Sequence, residues 1–423
     1  MSDEPTRGQV DRRSVLRFGG VVATGAGVAA FLPAQPAGAA SPPATTTLTE
    51  AFGGVTVPPR ALERWLCSHS SLVNVVCIGD SITQGSVGGF EYAVGGAGSW
   101  VDKLGSGMGR AIGPNIGYGY RGLWLGLDSN SEHEWKATGT WSRTTPSQAF
   151  DVCPFGDGFY SNGGTGAVLT WTKPVGVTIS GFDLYWFGMA GAGNWQYRVD
   201  SGAWTNMNQS LTSPANKLHK FYIARPVHAN VQIRAHNGSD PCLAPIAGIG
   251  IYSSDPLASS GVVVHDLGRD FDFLSAFVRT SAGDPLAWLD AVVSNPPALK
   301  VRPALITLMF SNDVVFNNTS KWQADLVKVI SRVSPYADIL LMNPYEQNGR
   351  DPTIQANYRA ATASVATARR CALLDVFDAW AGAGDQGWTE ANNAGLMNDN
   401  NHPSQLGHSD IAGRVWRLLR TFS

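Results

Sequence analysis

Val73-Asn74-Val75-Val76-Cys77-Ile78-Gly79-Asp80-Ser81-Ile82-Thr83-Gln84-Gly85 is an apolar, β-branched run that stops at a glycine and is followed at once by an acid and a hydroxyl. A continuous apolar stretch bounded by turn residues predicts a strand buried on both faces, the kind that lies inside a parallel sheet covered by helices. Ser81 then falls just past the strand end. In an open α/β sheet the crevice beyond the carboxyl ends of the strands is where ligands bind, so the hydroxyl is delivered to a place where a substrate can meet it. A serine there is more often a turn residue or a helix cap, so a nucleophile needs a base from elsewhere in the chain.

Asp399-Asn400-Asn401-His402-Pro403-Ser404-Gln405-Leu406-Gly407-His408, near the other end, supplies one. Serine is a weak nucleophile until a base takes its proton, and an imidazole held by a carboxylate is the commonest arrangement for that. An Asp three residues before a His, on a short loop leading into a helix, lets one segment provide both groups. Together with Gly79-Asp80-Ser81, this segment resembles the GDSL/SGNH family of serine esterases and lipases, whose first block is Gly-Asp-Ser and whose last is Asp-x-x-His. The resemblance implies a catalytic set of Ser81, Asp399 and His402. It further implies an oxyanion hole formed by Ser81, Gly268 and Asn312. Gly268 ends the second block, Val262-Val263-Val264-His265-Asp266-Leu267-Gly268. Asn312 lies in the third, Ile306-Thr307-Leu308-Met309-Phe310-Ser311-Asn312-Asp313, where Phe310 stands in place of the family's glycine. His408, six residues beyond His402 and inside the last helix, is the rival base; the Asp-x-x-His spacing favours His402.

The rest of the chain fits this frame. A helix is expected over residues 100–112, and strands at 262–264, 304–310, 339–342 and 372–374, with helices between. The clearest helix carries Trp322, Leu326, Val329, Ile330 and Val333 on one face and is ended by Pro335. Strand–helix alternation predicts an α/β domain built on a doubly wound, five-stranded parallel sheet, flavodoxin-like in the resembling family. Ser81, Gly268, Asn312 and the Asp399/His402 pair all follow strands, so a parallel sheet gathers them on one edge.

Between the first and second blocks the pattern changes to alternation. Ala167–Trp171, Val177–Ile179, Phe182–Phe187, Trp195–Asp200 and Val231–Ala235 are short strand candidates separated by turn residues, which predicts an inserted all-β sandwich. Its position is similar to that of a carbohydrate-binding-type insertion in some SGNH deacetylases. Trp135, Trp141, Trp171, Trp186, Trp195 and Trp204 all fall in it, and core packing is the expected role of each taken singly. Because the insertion is entered from the end of the first helix, it is expected to start on the side away from Ser81, holding a polymer rather than shaping the pocket. The resulting organisation is a signal segment (1–40), a linker (41–59), the first part of the hydrolase domain (60–128), the insertion (129–256) and the second part (257–423).

Residues 1–40 carry Arg12-Arg13 ahead of a Gly/Ala-rich apolar run and the small residues Ala37-Gly38-Ala39, the pattern of a twin-arginine export signal. Secretion or residence in the cell envelope is therefore expected, with no membrane span in the mature chain. The net charge of -2, from 31 basic and 33 acidic residues, offers no basic balance for nucleic acid. Of five cysteines, Cys77 and Cys371 sit in apolar runs and are expected to be buried; Cys153 and Cys242 could bridge the insertion, and Cys67 is unassigned. His133, His219, His228 and His236 lack ligand spacing, so neither a metal nor another cofactor is expected. Phe90 and Tyr92, on the glycine-rich loop after Ser81, are candidate pocket-lining residues.

The expected activity is removal of short acyl groups from a polysaccharide or envelope glycan. A secreted lipase or general carboxylesterase, a glycan-binding protein with an inactive hydrolase half, and an acyl transferase are the alternatives. The partners are an acylated glycan or a small ester.

Overall fold

The computed structural model describes residues 72–85, 99–112, 116–122, 135–143, 159–161, 166–173, 176–187, 194–207, 218–235, 246–253, 261–268, 273–278, 289, 303–335, 337–381 and 387–420. The signal segment, the linker, Phe90, Tyr92, Cys67, Cys153 and Cys242 lie outside them.

In chain order the elements are β1 (Leu72–Gly79), α1 (Ser81–Gln84), α2 (Trp100–Ile112), β2 (Ile116–Gly122), β3 (Trp135–Thr138), β4 (Trp141–Arg143), β5 (Phe159–Ser161), β6 (Val168–Thr172), β7 (Gly181–Phe187), β8 (Trp195–Val199), β9 (Thr205–Met207), β10 (Leu218–Ile223), β11 (Asn230–Ala235), β12 (Ile246–Tyr252) and β13 (Gly261–Gly268). There follow β14 (Pro303–Met309), α3 (Thr319–Val333), β15 (Asp338–Asn343), α4 (Pro352–Arg369), β16 (Ala372–Asp375), α5 (Val376–Ala381), α6 (Gly387–Asn393) and α7 (Gln405–Arg420).

β1 is an interior strand of the parallel block β13-β1-β14-β15-β16, bonded to β13 on one side and β14 on the other. That position explains its unbroken apolar run, because both faces are covered. Val76 and Ile78 point into a core with Trp322, Leu326, Val329 and Ile330 of α3 and Tyr358, Ala361 and Val365 of α4. Val75 and Cys77 point the other way, against Trp100, Val101, Leu104 and Met108 of α2 and Ile411, Val415 and Leu418 of α7. Each large apolar side chain so buried stabilises the fold by about 1.5–3 kcal/mol. The five-stranded doubly wound sheet is thus present as expected.

Two features were not foreseen. β2 adds a further parallel strand beside β13, with Arg121 opposite Asp266. Beyond β2 the same sheet continues through the antiparallel strands β12, β7 and β10, and with β4 and β5 it reaches eleven strands. The sandwich forms where a second, five-stranded sheet, β3-β6-β11-β8-β9, stacks on this antiparallel part. Trp135, Leu169, Trp171, Trp195, Val231 and Ile233 meet Phe182, Leu184, Trp186, Ile246 and Ile251 in one apolar layer. Trp141 packs against its margin, whereas Trp204 lies outside it. The segment 177–179 forms only an isolated bridge, Ile179 to Val227.

β2 also overturns the expected entry point of the insertion. After α2 the chain crosses the sheet again along β2, so it departs at Gly122, near the level of Gly268 and Gly79. It returns with Gly248 opposite Gly122. The excursion therefore leaves and re-enters at the serine edge, not the far one.

Candidate active site

Asp80 follows β1 and caps α1, its Oδ1 accepting from the Ile82 N–H at 3.1 Å. Its other oxygen, Oδ2, accepts from Ser311 N (2.6 Å), Ser311 Oγ (2.6 Å) and Asn312 N (3.2 Å). One fully buried carboxylate thereby ties the turn bearing Ser81 to the turn bearing Asn312, 231 and 232 residues away. Burial pushes its pKa up from the usual range, and the converging donors pull against that shift.

Ser81 opens α1 and is 5 % exposed. Its Oγ lies 3.3 Å from His402 Nε2, across 321 positions of sequence. His402 Nδ1 in turn lies 3.0 Å from Asp399 Oδ2 and 3.2 Å from Oδ1. The carboxylate also accepts from Asn401 N (2.7 Å) and His402 N (2.6 Å), so the loop folds around its own acid. Burial would raise the Asp399 pKa; the hydrogen bonds from His402 and Asn401 outweigh it and hold the group below its usual value. An ionised Asp399 keeps the proton on Nδ1 and leaves Nε2 as the acceptor facing Ser81. Tyr345 Oη donates to Asn401 O at 2.6 Å and Trp388 Nε1 to Asp399 O at 3.4 Å, bracing the loop from two sides. Neither brace is legible in sequence, since both come from unrelated segments.

His408 is buried in α7, and its Nδ1 accepts from Trp100 N at 3.2 Å, capping α2. It is not the base. Phe310, the departure from the family pattern, turns into the core between Phe277 and Trp322, 5.1 and 6.4 Å away ring to ring. Ser311 and Asn312 are left at the strand end, and Asn312 begins a 3-10 helix (Asn312–Phe316).

Gly268 ends β13 against α1 so closely that a Cβ there would stand 2.1 Å from Gln84 N. Only glycine fits. Its N–H, expected to face the oxyanion, instead donates to Asp266 Oδ1 at 2.9 Å. The reason is local: a carboxylate two residues back forms an Asx-type turn onto the nearest free amide. Asp313 accepts from Leu274 N at 2.9 Å, and burial raises its pKa to about 7.

Among the described residues, no group of three or more His, Cys, Asp or Glu side chains is placed to hold a metal ion, and no helix is long and apolar enough to cross a membrane.

No protein-family model matches the sequence, and no curated protein matches it. Solved structures do match. One of a peptidoglycan O-acetylesterase is similar over 85% of this chain and 96% of its own, at 16% identity and a TM-score of 0.54. A lipolytic protein of the G-D-S-L family from Veillonella parvula matches 38% of this chain and 81% of its own, at 17% identity and a TM-score of 0.29. A carbohydrate acetylesterase from Sinorhizobium meliloti matches 37% and 79%, at 14% identity and a TM-score of 0.27.

Proposed function

We propose, from the premise that this chain has the GDSL/SGNH hydrolase fold, that it is an exported serine esterase removing short acyl groups, acetyl by default, from an acylated glycan. The observation that carries the reading is the contiguous line Ser81 Oγ, His402 Nε2, His402 Nδ1, Asp399 Oδ2, with separations of 3.3 and 3.0 Å. Such a line can relay a proton and has little other use at the carboxyl edge of a sheet. Export is supported by the paired Arg12-Arg13 and the apolar run behind them.

In the proposed reaction Ser81 Oγ attacks the ester carbonyl carbon while His402 Nε2 takes the hydroxyl proton. The imidazolium is stabilised by Asp399 and returns the proton to the departing sugar oxygen. Water, deprotonated by the same nitrogen, then attacks the acyl-enzyme carbonyl and frees the acid and Ser81. The 3.3 Å separation is at the long end for a hydrogen bond, as is common before substrate tightens such a pair. The oxyanion would meet the Ser81 N–H and the Asn312 side chain. Gly268 joins them once Asp266 releases its N–H.

Acetate release from a panel of acetylated envelope and plant glycans, beside aryl esters of increasing chain length, tests the reading. Ser81→Ala is expected to abolish turnover on all of them. Asn312→Ala should lower kcat by about 10²–10³. Preference for long acyl chains would make the protein a lipase instead, and undiminished hydrolysis by Ser81→Ala would remove the proposal.

A further inference from the structure

Trp204 is the tryptophan of the insertion that joins no core. It lies over the outward face of the second sheet, with Arg198 Cζ 4.6 Å and Arg234 Cζ 4.1 Å from its ring. Strand alternation sends Trp195, Tyr197 and Val199 inward and Gln196 and Arg198 outward on β8, and likewise Gln232 and Arg234 outward on β11. Cross-strand register puts Gln232 between Arg198 and Thr170, and Gln196 between Arg234 and Asn206. Side-chain bonds follow that register: Arg198 Nε to Gln232 Oε1 (2.6 Å), Gln232 Nε2 to Thr170 Oγ1 (3.3 Å), Arg234 Nε to Gln196 Oε1 (2.7 Å) and Gln196 Nε2 to Asn206 Oδ1 (2.6 Å). Lys136, opposite Thr170, extends the row with an exposed ammonium.

These groups are fixed, but they do not satisfy one another. Each arginine commits Nε to a glutamine and keeps its terminal nitrogens, and each glutamine spends one donor and one acceptor and keeps one of each. Among the described residues no carboxylate pairs with Arg198, Arg234 or Lys136. Two guanidiniums brought to one indole, with no counter-charge paired to them among the described residues, form a surface that an anion completes. Phosphate chains need only donors. Sugar hydroxyls need acceptors beside donors, and the amide row offers both.

We propose that this face binds a glycan chain bearing carboxylates, its acid groups forked by Arg198 and Arg234 and its hydroxyls met by Gln232 and Asn206, with buried Gln196 holding Arg234 and Asn206 in place. The choice of a glycan rests on the reading above of the substrate; the site itself is separate from Ser81.

Affinity electrophoresis and calorimetry of the full chain with alginate, a neutral β-glucan and a single-stranded DNA test it. Wild type is expected to bind alginate, more weakly as salt rises, and the β-glucan and the DNA at least tenfold more weakly. Arg198→Ala/Arg234→Ala should lose at least tenfold in affinity, and Lys136→Glu, at an exposed side chain, about threefold or more. Both should hydrolyse a small aryl acetate at the wild-type rate, and Ser81→Ala should bind alginate as wild type does. That last pair of measurements separates failure of this site from failure of the esterase reading. No binding of alginate by wild type, equal binding by the double variant and by Lys136→Glu, or tighter binding of the neutral glucan or the DNA would overturn the proposal.

Discussion

Asp80 takes no part in the proposed proton relay, yet four hydrogen bonds converge on it. Asp80→Asn would turn an NH₂ toward donors and leave buried N–H groups unmet, a cost of about 2–3 kcal/mol. The expected outcome is a lower urea midpoint together with a lower kcat, because the Ser81 and Asn312 turns lose their common anchor. Asp399→Asn should behave differently: folding intact, but kcat lower by on the order of 10³–10⁴, since the amide no longer holds the imidazole in its working tautomer. Circular dichroism beside aryl acetate kinetics separates the two. The meeting of Ser81, Asp399 and His402 was legible in sequence because a parallel sheet gathers the segments that follow its strands on one edge. Occupation of the Gly268 N–H by Asp266 was not, because a local Asx-type turn competes with the oxyanion role and no pattern announces which prevails.

The limits of β1, α2 and α3 follow from composition: an apolar run cut by Gly79, a helical face begun at Trp100, and a stop before Pro335. β2 escaped notice for a physical reason. Its sequence, Ile116-Gly117-Tyr118-Gly119-Tyr120, shows no apolar run, and Gly119 is required because a Cβ would stand 2.4 Å from His265 Nδ1. Glycine chosen for close approach hides a strand from any propensity argument. The same close approach makes Gly268→Ala informative. The added methyl meets backbone of α1 and not a movable side chain, so α1 and Ser81 must shift. A loss of activity of 10²-fold or more, with a stability loss of about 1–3 kcal/mol, is expected from kinetics and urea unfolding.

At the scale of the molecule, the insertion and the parallel α/β part share one sheet through β2 and β12. They should therefore melt as one unit, with a single calorimetric transition whose van't Hoff and calorimetric enthalpies agree. Two resolved transitions would contradict the shared sheet. Among the buried groups through which pH acts on this unit, His265 and Asp313 work with opposite sign. Burial, helped by the Lys220 charge, lowers the His265 pKa from 6.5 to about 3. Its contribution is whole above 6.5 and is lost as the pH falls toward 3, at about 1.4 kcal/mol per unit. Asp313, raised from 3.8 to about 7, works the other way, its contribution being lost as pH rises through that interval. His265→Gln should make the slope of stability against pH between 5 and 6.5 more negative than in wild type, and Asp313→Asn should make it more positive, in urea titrations at about half-unit steps. A sheet continuous from β16 to β10 is also a rigid arm with Ser81 part of the way along it. A glycan held, as proposed, on the second sheet stacked upon that arm would reach Ser81 at a fixed remove, so deacylation should recur along it at a regular interval, like notches from a ruler, instead of at random.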